Sequence, residues 1–181
     1  MRRRSREWRI VYLLVVFHIL SGCVDIHGPS NSRAYIFYAE KGRYDMAIKE
    51  IDKQLDSPTA STKTYVLYTD RGEIYRWQGK YEMAVADYKK ALEIKPDFYI
   101  AWNNLGLTYM GMKEYAQAIK CLDKALELNP GFAMSYYNRG LVYERLDEND
   151  KAVNDFLKAK ELGFTRDVLI TLIHLVRLHA R

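Results

Sequence analysis

Cys23 is the residue of this chain best suited to covalent chemistry. It closes the stretch His18-Ile19-Leu20-Ser21-Gly22-Cys23-Val24, with an apolar run behind it and the small residues Ser21 and Gly22 beside it. A thiolate is the side chain most readily alkylated, and small residues ahead of it suit a cleavage site. The other reactive residue types are sparse. His174 and His179 stand five apart, rather than the four that puts two ligands on one helix face. Asp25 and His27 flank the break at Gly28-Pro29 and read as solvated linker. The sequence holds no glycine-rich phosphate loop, no paired-histidine zinc motif, and no Ser or Cys beside a recognisable base. No catalytic residue, metal site or cofactor is expected, and the chain does not read as an enzyme.

The elements around Cys23 explain its position. Arg2, Arg3, Arg4, Arg6 and Arg9 precede an eleven-residue run, Ile10 to Leu20, that is apolar except for His18. A basic start, a short apolar middle and small residues at a cut make a secretory signal. The run falls well short of the roughly 20 residues that cross the hydrocarbon core as a helix, so a permanent span is the weaker reading. Leu20-Ser21-Gly22-Cys23 resembles the lipobox of bacterial lipoproteins at all four positions. That resemblance implies that Cys23 becomes the first mature residue and carries lipid on its sulfur and amino group, anchoring the protein to a membrane on the periplasmic side. Val24, in place of Asp, would direct such a lipoprotein of an enteric-type bacterium to the outer membrane.

Removing the leader changes the charge argument. The chain has 28 Lys+Arg and 23 Asp+Glu for a net charge of +5, but five arginines and Glu7 precede Cys23, which leaves 23 basic and 22 acidic side chains. A balance this near neutral gives no electrostatic case for nucleic acid, and pairs such as Lys89-Lys90 read as solvated helix faces. With Cys23 acylated, Cys121 has no partner for an intramolecular disulfide; it falls in an alanine-rich helical stretch and reads as a small buried hydrophobe.

Behind the leader the chain repeats itself. Gly72, Gly106 and Gly140 are spaced 34 and 34 apart, and so are Tyr75, Tyr109 and Tyr143; Ala84, Ala118 and Ala152; and Ala91, Ala125 and Ala159. A fixed period of this size marks a stacked architecture in which no unit buries its apolar face alone. The segments YRWQGKYEMAVADYKKALEIKPDF, YMGMKEYAQAIKCLDKALELNPGF and YERLDENDKAVNDFLKAKELGF resemble the tetratricopeptide repeat, a pair of antiparallel helices A and B. The resemblance implies an all-α fold, a right-handed superhelical solenoid of such pairs. The glycine and first alanine columns would let A and B cross closely, with Tyr75, Tyr109 and Tyr143 filling the wider gap beside them. Tyr88, Leu122 and Phe156 are expected to bury each B helix against the following unit. Pro96 and Pro130 should stop B helices, since proline lacks the N–H and clashes with the preceding turn.

This divides the chain into a signal peptide (1–22), a tether after the lipidated cysteine (23–29), a degenerate repeat with its loop (30–64), repeats at 65–98, 99–132 and 133–164, and a capping helix (165–181). Ser30, Asn31 and Ser32 supply helix-start residues for the first unit, and the loop after it holds about three extra residues, because Ala47 precedes Ala84 by 37. The last repeat departs from pattern, with Gly163-Phe164 where the others have proline and Asn149 where they have tyrosine. Thr165 could cap the final helix. Eight of the eleven residues from Val168 to Leu178 are apolar, more than a one-sided cap needs, which leaves self-association or membrane contact through that helix as alternatives.

In the tetratricopeptide family the A helices line a concave groove. The matching columns here hold Val66, Thr69, Glu73, Arg76 and Trp77; then Ile100, Asn103, Leu107, Met110 and Gly111; then Met134, Tyr137, Leu141, Glu144 and Arg145. Trp77, Met110 and Tyr137 are the expected anchors of a bound peptide, since such side chains give large contact area at modest entropic cost; packing against neighbouring helices is the alternative for each. The family's clamp for a terminal carboxylate needs Lys and Asn where this chain has Thr69 and Glu73, and Lys where it has Met134, so that clamp is absent. Asn104 and Asn138 in the sixth column read as structural.

The expected protein is therefore a lipid-anchored scaffold that binds peptide or helix segments of cell-envelope proteins in its groove. Two exported families share the plan: NlpI-like lipoproteins, adaptors for peptidoglycan hydrolases and proteases, and pilus-biogenesis lipoproteins, which help secretin subunits assemble. The alternatives are a homo-oligomer joined through the apolar last helix, and a cytosolic adaptor if the leader stays on.

Overall fold

The computed structural model describes residues 34–57 and 63–164. The expected signal peptide, Cys23 and the expected tether, the Ser30-Asn31-Ser32 start, part of the long loop, and the segment 165–181 expected to form a final helix lie outside the described residues. The chain divides into two compact units, residues 1–60 and 61–181. In the first, α1 (Ala34–Glu40) and α2 (Tyr44–Leu55) pack as a hairpin. The second holds α3 (Thr64–Trp77), α4 (Tyr81–Ile94), α5 (Tyr99–Gly111), α6 (Tyr115–Leu128), α7 (Ala133–Arg145) and α8 (Asn149–Glu161). All described elements are helices, and none is long and apolar enough to cross a membrane.

Helices pair in sequence, α3 with α4, α5 with α6 and α7 with α8. Glycine makes each pairing close. A Cβ built on Gly72 would lie 2.9 Å from the Tyr88 ring and 3.2 Å from the Ala84 carbonyl; at Gly106 it would lie 2.7 Å from Leu122, and at Gly140 2.6 Å from the Phe156 ring. Cβ atoms essentially never approach a neighbour closer than 3.0 Å, so any residue but glycine would force the facing side chain to shift. Tyr88, Leu122 and Phe156 are each fully buried. The expectation that they bury the B helix against the following unit describes half of their role. Tyr88 does share a cluster with Ala101 and Leu105, and Leu122 one with Val142, but each side chain first fills the seat left by the glycine of its own pair.

Corners are set by two different devices. Each A helix ends on a residue with positive φ in the same column, Gly42 at 70°, Gly79 at 77°, Lys113 at 64° and Asp147 at 58°. The chain then closes a Schellman pattern; after α3, the Gly79 N–H donates to the Arg76 carbonyl at 3.0 Å and the Lys80 N–H to the Tyr75 carbonyl at 2.9 Å. B helices α4 and α6 stop instead before proline. Lys95 (φ −135°, ψ 87°) and Asn129 (φ −143°, ψ 90°) have left the helical region, as the ring of a following proline demands. The Trp102 indole N–H, donating to the Pro96 carbonyl at 2.8 Å, fastens the first of these corners. Helix α8 has no proline after it and ends on Gly163, with φ 94° and the Phe164 N–H bonded to the Ala159 carbonyl at 2.9 Å.

Pairs stack through α4 on α5 and α6 on α7, and α3 also touches α5 while α5 touches α7. The second helices of successive pairs approach each other less closely. The three first helices therefore line the inner side of a curved stack.

Candidate functional site

The inner wall is built by α3, α5 and α7, and its floor is polar and closed. Asn103 is the hub: its amide oxygen accepts from the Ser135 hydroxyl at 3.0 Å and the Asn138 amide at 2.9 Å, while its own amide donates to Asn104 at 3.2 Å. All four residues are buried. A short side chain on α5 thus meets two on α7, one repeat later, and the shared bonds fix how far the two helices slide past each other. Thr69 is buried too, and its hydroxyl donates to the Tyr65 carbonyl one turn back at 2.8 Å. Thr69 and Asn103, both expected in the groove, belong to the body of the wall and offer no side-chain surface.

The remaining groove positions divide by what they touch. Tyr137 sits 5.6 Å from the Phe156 ring and 5.0 Å from the Phe164 ring, and with Leu141 it packs on the buried cluster of Ala152, Phe156 and Ala159. Met110 lies against Ala118, Leu122 and Val142. These three are half-buried and pack on the core, the alternative to an anchor's role that the sequence left open. Trp77, at the end of α3, and Leu107, in the middle of α5, are half-buried, as are Val66, Ile100 and Met134.

Charge enters at the two ends of the wall. Glu73 faces Arg76 at 3.5 Å, each with 18% of its side-chain surface exposed. Enclosure pushes the Glu73 carboxyl above its ordinary range, and the nearby Arg76 guanidinium opposes that shift. The Tyr88 ring crosses Gly72 from α4 and ends in the same surroundings; burial raises its phenol, with Arg76 and Glu73 the leading charges acting on it. At the far end Glu144 lies 3.6 Å from Arg145.

One set of polar contacts was missed by reading the small and aromatic columns alone. Arg71 holds Asp87 through two bonds of 2.7 Å. One period on, Arg139 holds Asp155 at 2.7 and 2.8 Å and reaches Asp123 at 2.6 Å. Asp155 above all keeps that guanidinium protonated well past its usual range. Each arginine lies between two tyrosine rings, Arg71 at 5.5 Å from Tyr68 and 6.0 Å from Tyr75, and Arg139 at 5.6 Å from Tyr136 and 6.0 Å from Tyr143. In the middle pair the same two columns hold Leu105 and Cys121, both buried in one apolar cluster. Burial pushes the Cys121 thiol up to about 11, against the pull of Lys89. The signal was legible: the columns Arg71, Leu105, Arg139 and Asp87, Cys121, Asp155 change character together. Among the described residues no group of His, Cys, Asp and Glu could hold a metal ion.

The helix pairs, their period and their glycine seats coincide with known repeat models: Tetratricopeptide repeat at residues 99–132 and again at 121–154, and TPR repeat at 72–113. Residues 72–154 thus match tetratricopeptide repeat models. Solved structures resemble the chain over much of its length. The crystal structure of MamA is 27% identical, with 72% of this chain and 74% of that one covered and a TM-score of 0.62. The first TPR of Spaghetti (RPAP3) bound to HSP90 peptide SRMEEVD is 23% identical, covering 67% of this chain and 97% of its own at a TM-score of 0.62. YrrB, described as a TPR protein with an unusual peptide-binding site, is 19% identical, covering 80% and 73% at a TM-score of 0.65. The last two likenesses establish the fold alone. No curated protein matches the chain.

Proposed function

We propose that the protein is an interaction scaffold whose inner wall takes peptide segments of partner proteins. The observation that carries this reading is the half-buried, mixed surface of Trp77, Leu107 and Met110 between the charged ends of the wall, a composition suited to apolar anchoring with polar groups setting register. A Spaghetti repeat of the same fold holds an HSP90 peptide, and the description of YrrB points to a peptide site as well. The lipobox at Leu20 to Cys23 adds the place of action: a lipid on Cys23 holds the scaffold at a membrane facing the periplasm, the outer membrane being the expected one, where envelope proteins are the available partners. NlpI-like and pilus-biogenesis lipoproteins remain the models for such a role.

Two experiments test the two halves. Cross-linked pull-down with mass spectrometry from whole cells, comparing the native protein with a folded Trp77→Ala/Leu107→Arg variant, should lose specific envelope proteins from the variant; an unchanged list removes the groove from the function. Cys23→Ser should abolish incorporation of labelled palmitate and move the protein out of the membrane fraction. Retention in the membrane without label would return the leader to the status of an anchor.

A further inference from the structure

Two contacts define how one pair sits on the next, and both are polar where α5 and α6 meet α7. Asn103 meets Ser135 and Asn138, and Asp123 meets Arg139. Carried forward by one period of 34, the first contact sets Tyr137 against Leu169 and Leu172, and the second sets Leu157 against Ile173. Every member has turned apolar, on the described side and in the segment that follows it. Tyr137 is a half-buried ring where Asn103 is a buried amide, and Leu157, in the column of Asp123, leaves 48% of its surface exposed. Matched columns that change character together mark surfaces that meet, since an apolar face gains by burial only against another. Val176 likewise falls in the column of Ile74, Thr108 and Val142, all of them buried.

The connection has the length this needs. Helix α5 begins three residues after Pro96 and α7 three after Pro130, and three after Phe164 stands Asp167. Phe164, its ring 5.0 Å from that of Tyr137, delivers the chain to this end of the stack. One rim differs: Lys160 is exposed where α4 and α6 bury Leu92 and Leu126, and the segment opens beside it with the carboxylate of Asp167. His174 takes the column of Gly72, Gly106 and Gly140, where any side chain would collide with a crossing second helix. The segment is therefore built to end the stack, with His174 and Arg177 on its watered stripe.

We propose that residues 167–179 form one more first helix, docked on α7 and α8 in the register of the repeats. Leu169 and Leu172 lie on Tyr137, and Ile173 lies on Leu157. At 100° per residue the docking columns fill only half of the broad apolar arc. The other half, Val168, Leu175 and Leu178, falls in the columns of Met134, Leu141 and Glu144 and continues the inner wall. That half rests on the groove reading for its use, as an apolar end that takes apolar side chains of a bound segment; the docking does not.

Cysteine scanning of the full chain in detergent tests this, with iodoacetamide labelling followed peptide by peptide and the buried Cys121 as the protected standard. Leu169→Cys, Leu172→Cys and Val176→Cys should label about tenfold more slowly than Leu175→Cys and Leu178→Cys. Equal rates at all five overturn the docking. Protection at all five overturns the place of Leu175 and Leu178 on the wall and gives them to self-association or to a membrane. A graft checks the register independently. Leu157→Asp and Ile173→Arg should each lower the melting temperature, while the double variant, which copies the pair of Asp123 and Arg139, should unfold about two- to fivefold less than the product of the single effects requires. Independent effects overturn the register. An unchanged partner list in the pull-down removes the groove from the function without altering the labelling pattern, so the two readings fail separately.

Discussion

A methyl group added at Gly140 would collide with a ring that cannot retreat. Phe156 is fully buried among Ala152, Ala159 and the tyrosines of α7, so Gly140→Ala forces a shift of packed atoms, at a cost of about 1–3 kcal/mol before Ala's better helix propensity returns part of it. Chemical denaturation should show net destabilisation, and Phe156→Leu in the same background should recover some of the loss. The opposite sign is expected at the corner after α5. Lys113 holds a φ of 64° in the column where two other helices use glycine, and left-handed backbone costs a side-chain-bearing residue about 1–2 kcal/mol. Lys113→Gly should therefore raise stability by about 1 kcal/mol, with a smaller gain at Asp147, whose residue type tolerates that region better. Glu73 gives a pH signature. Its carboxyl is raised in the folded chain, so between the ordinary carboxylate range and the raised value the folded state holds a proton that the unfolded state has released, and stability falls as pH rises through that window. Stability measured across it should decline in the native chain and stay flatter in Glu73→Gln.

At the scale of the helix pair, the middle unit shows what the outer units could have been. Leu105 and Cys121 occupy the places of Arg71 and Asp87 and pack in the apolar cluster. Arg71→Leu alone would strand the Asp87 carboxylate, 5% exposed, at a cost of about 3 kcal/mol. Arg71→Leu together with Asp87→Cys should sit within about 1 kcal/mol of the native chain, since an apolar pair of fitting volume replaces an ion pair at little net cost. A thermal-melt cycle of the four proteins reads the coupling. The pairs themselves were plain in the sequence because a Gly, an Ala and a bulky residue at fixed offsets leave only one way to cross two helices, and Pro96 and Pro130 mark where the crossing ends. The helix stops without proline were harder to see: the turn after α5 relies on Lys113 in a conformation that lysine seldom takes, so composition there gives no warning.

Across the whole stack, the columns told which helices line the inner wall but not which of their side chains are reached from outside. Thr69 and Asn103 stand in inner columns, yet short polar side chains can satisfy themselves against a backbone carbonyl or a neighbouring amide and disappear from the surface. Tyr137 and Leu141 go the other way, drawn to the rings of α8 and to Phe164. Both outcomes depend on distances between repeats, which a column of letters does not contain. The lateral order of the stack also has a mechanical meaning. Because α3 touches α5 and α5 touches α7 while their partners on the outer side stand further apart, the inner wall should act as the neutral axis of a leaf spring. A change of curvature is taken up by opening or closing the outer edge, and a segment lying along the inner helices would travel with the spring while being neither stretched nor squeezed.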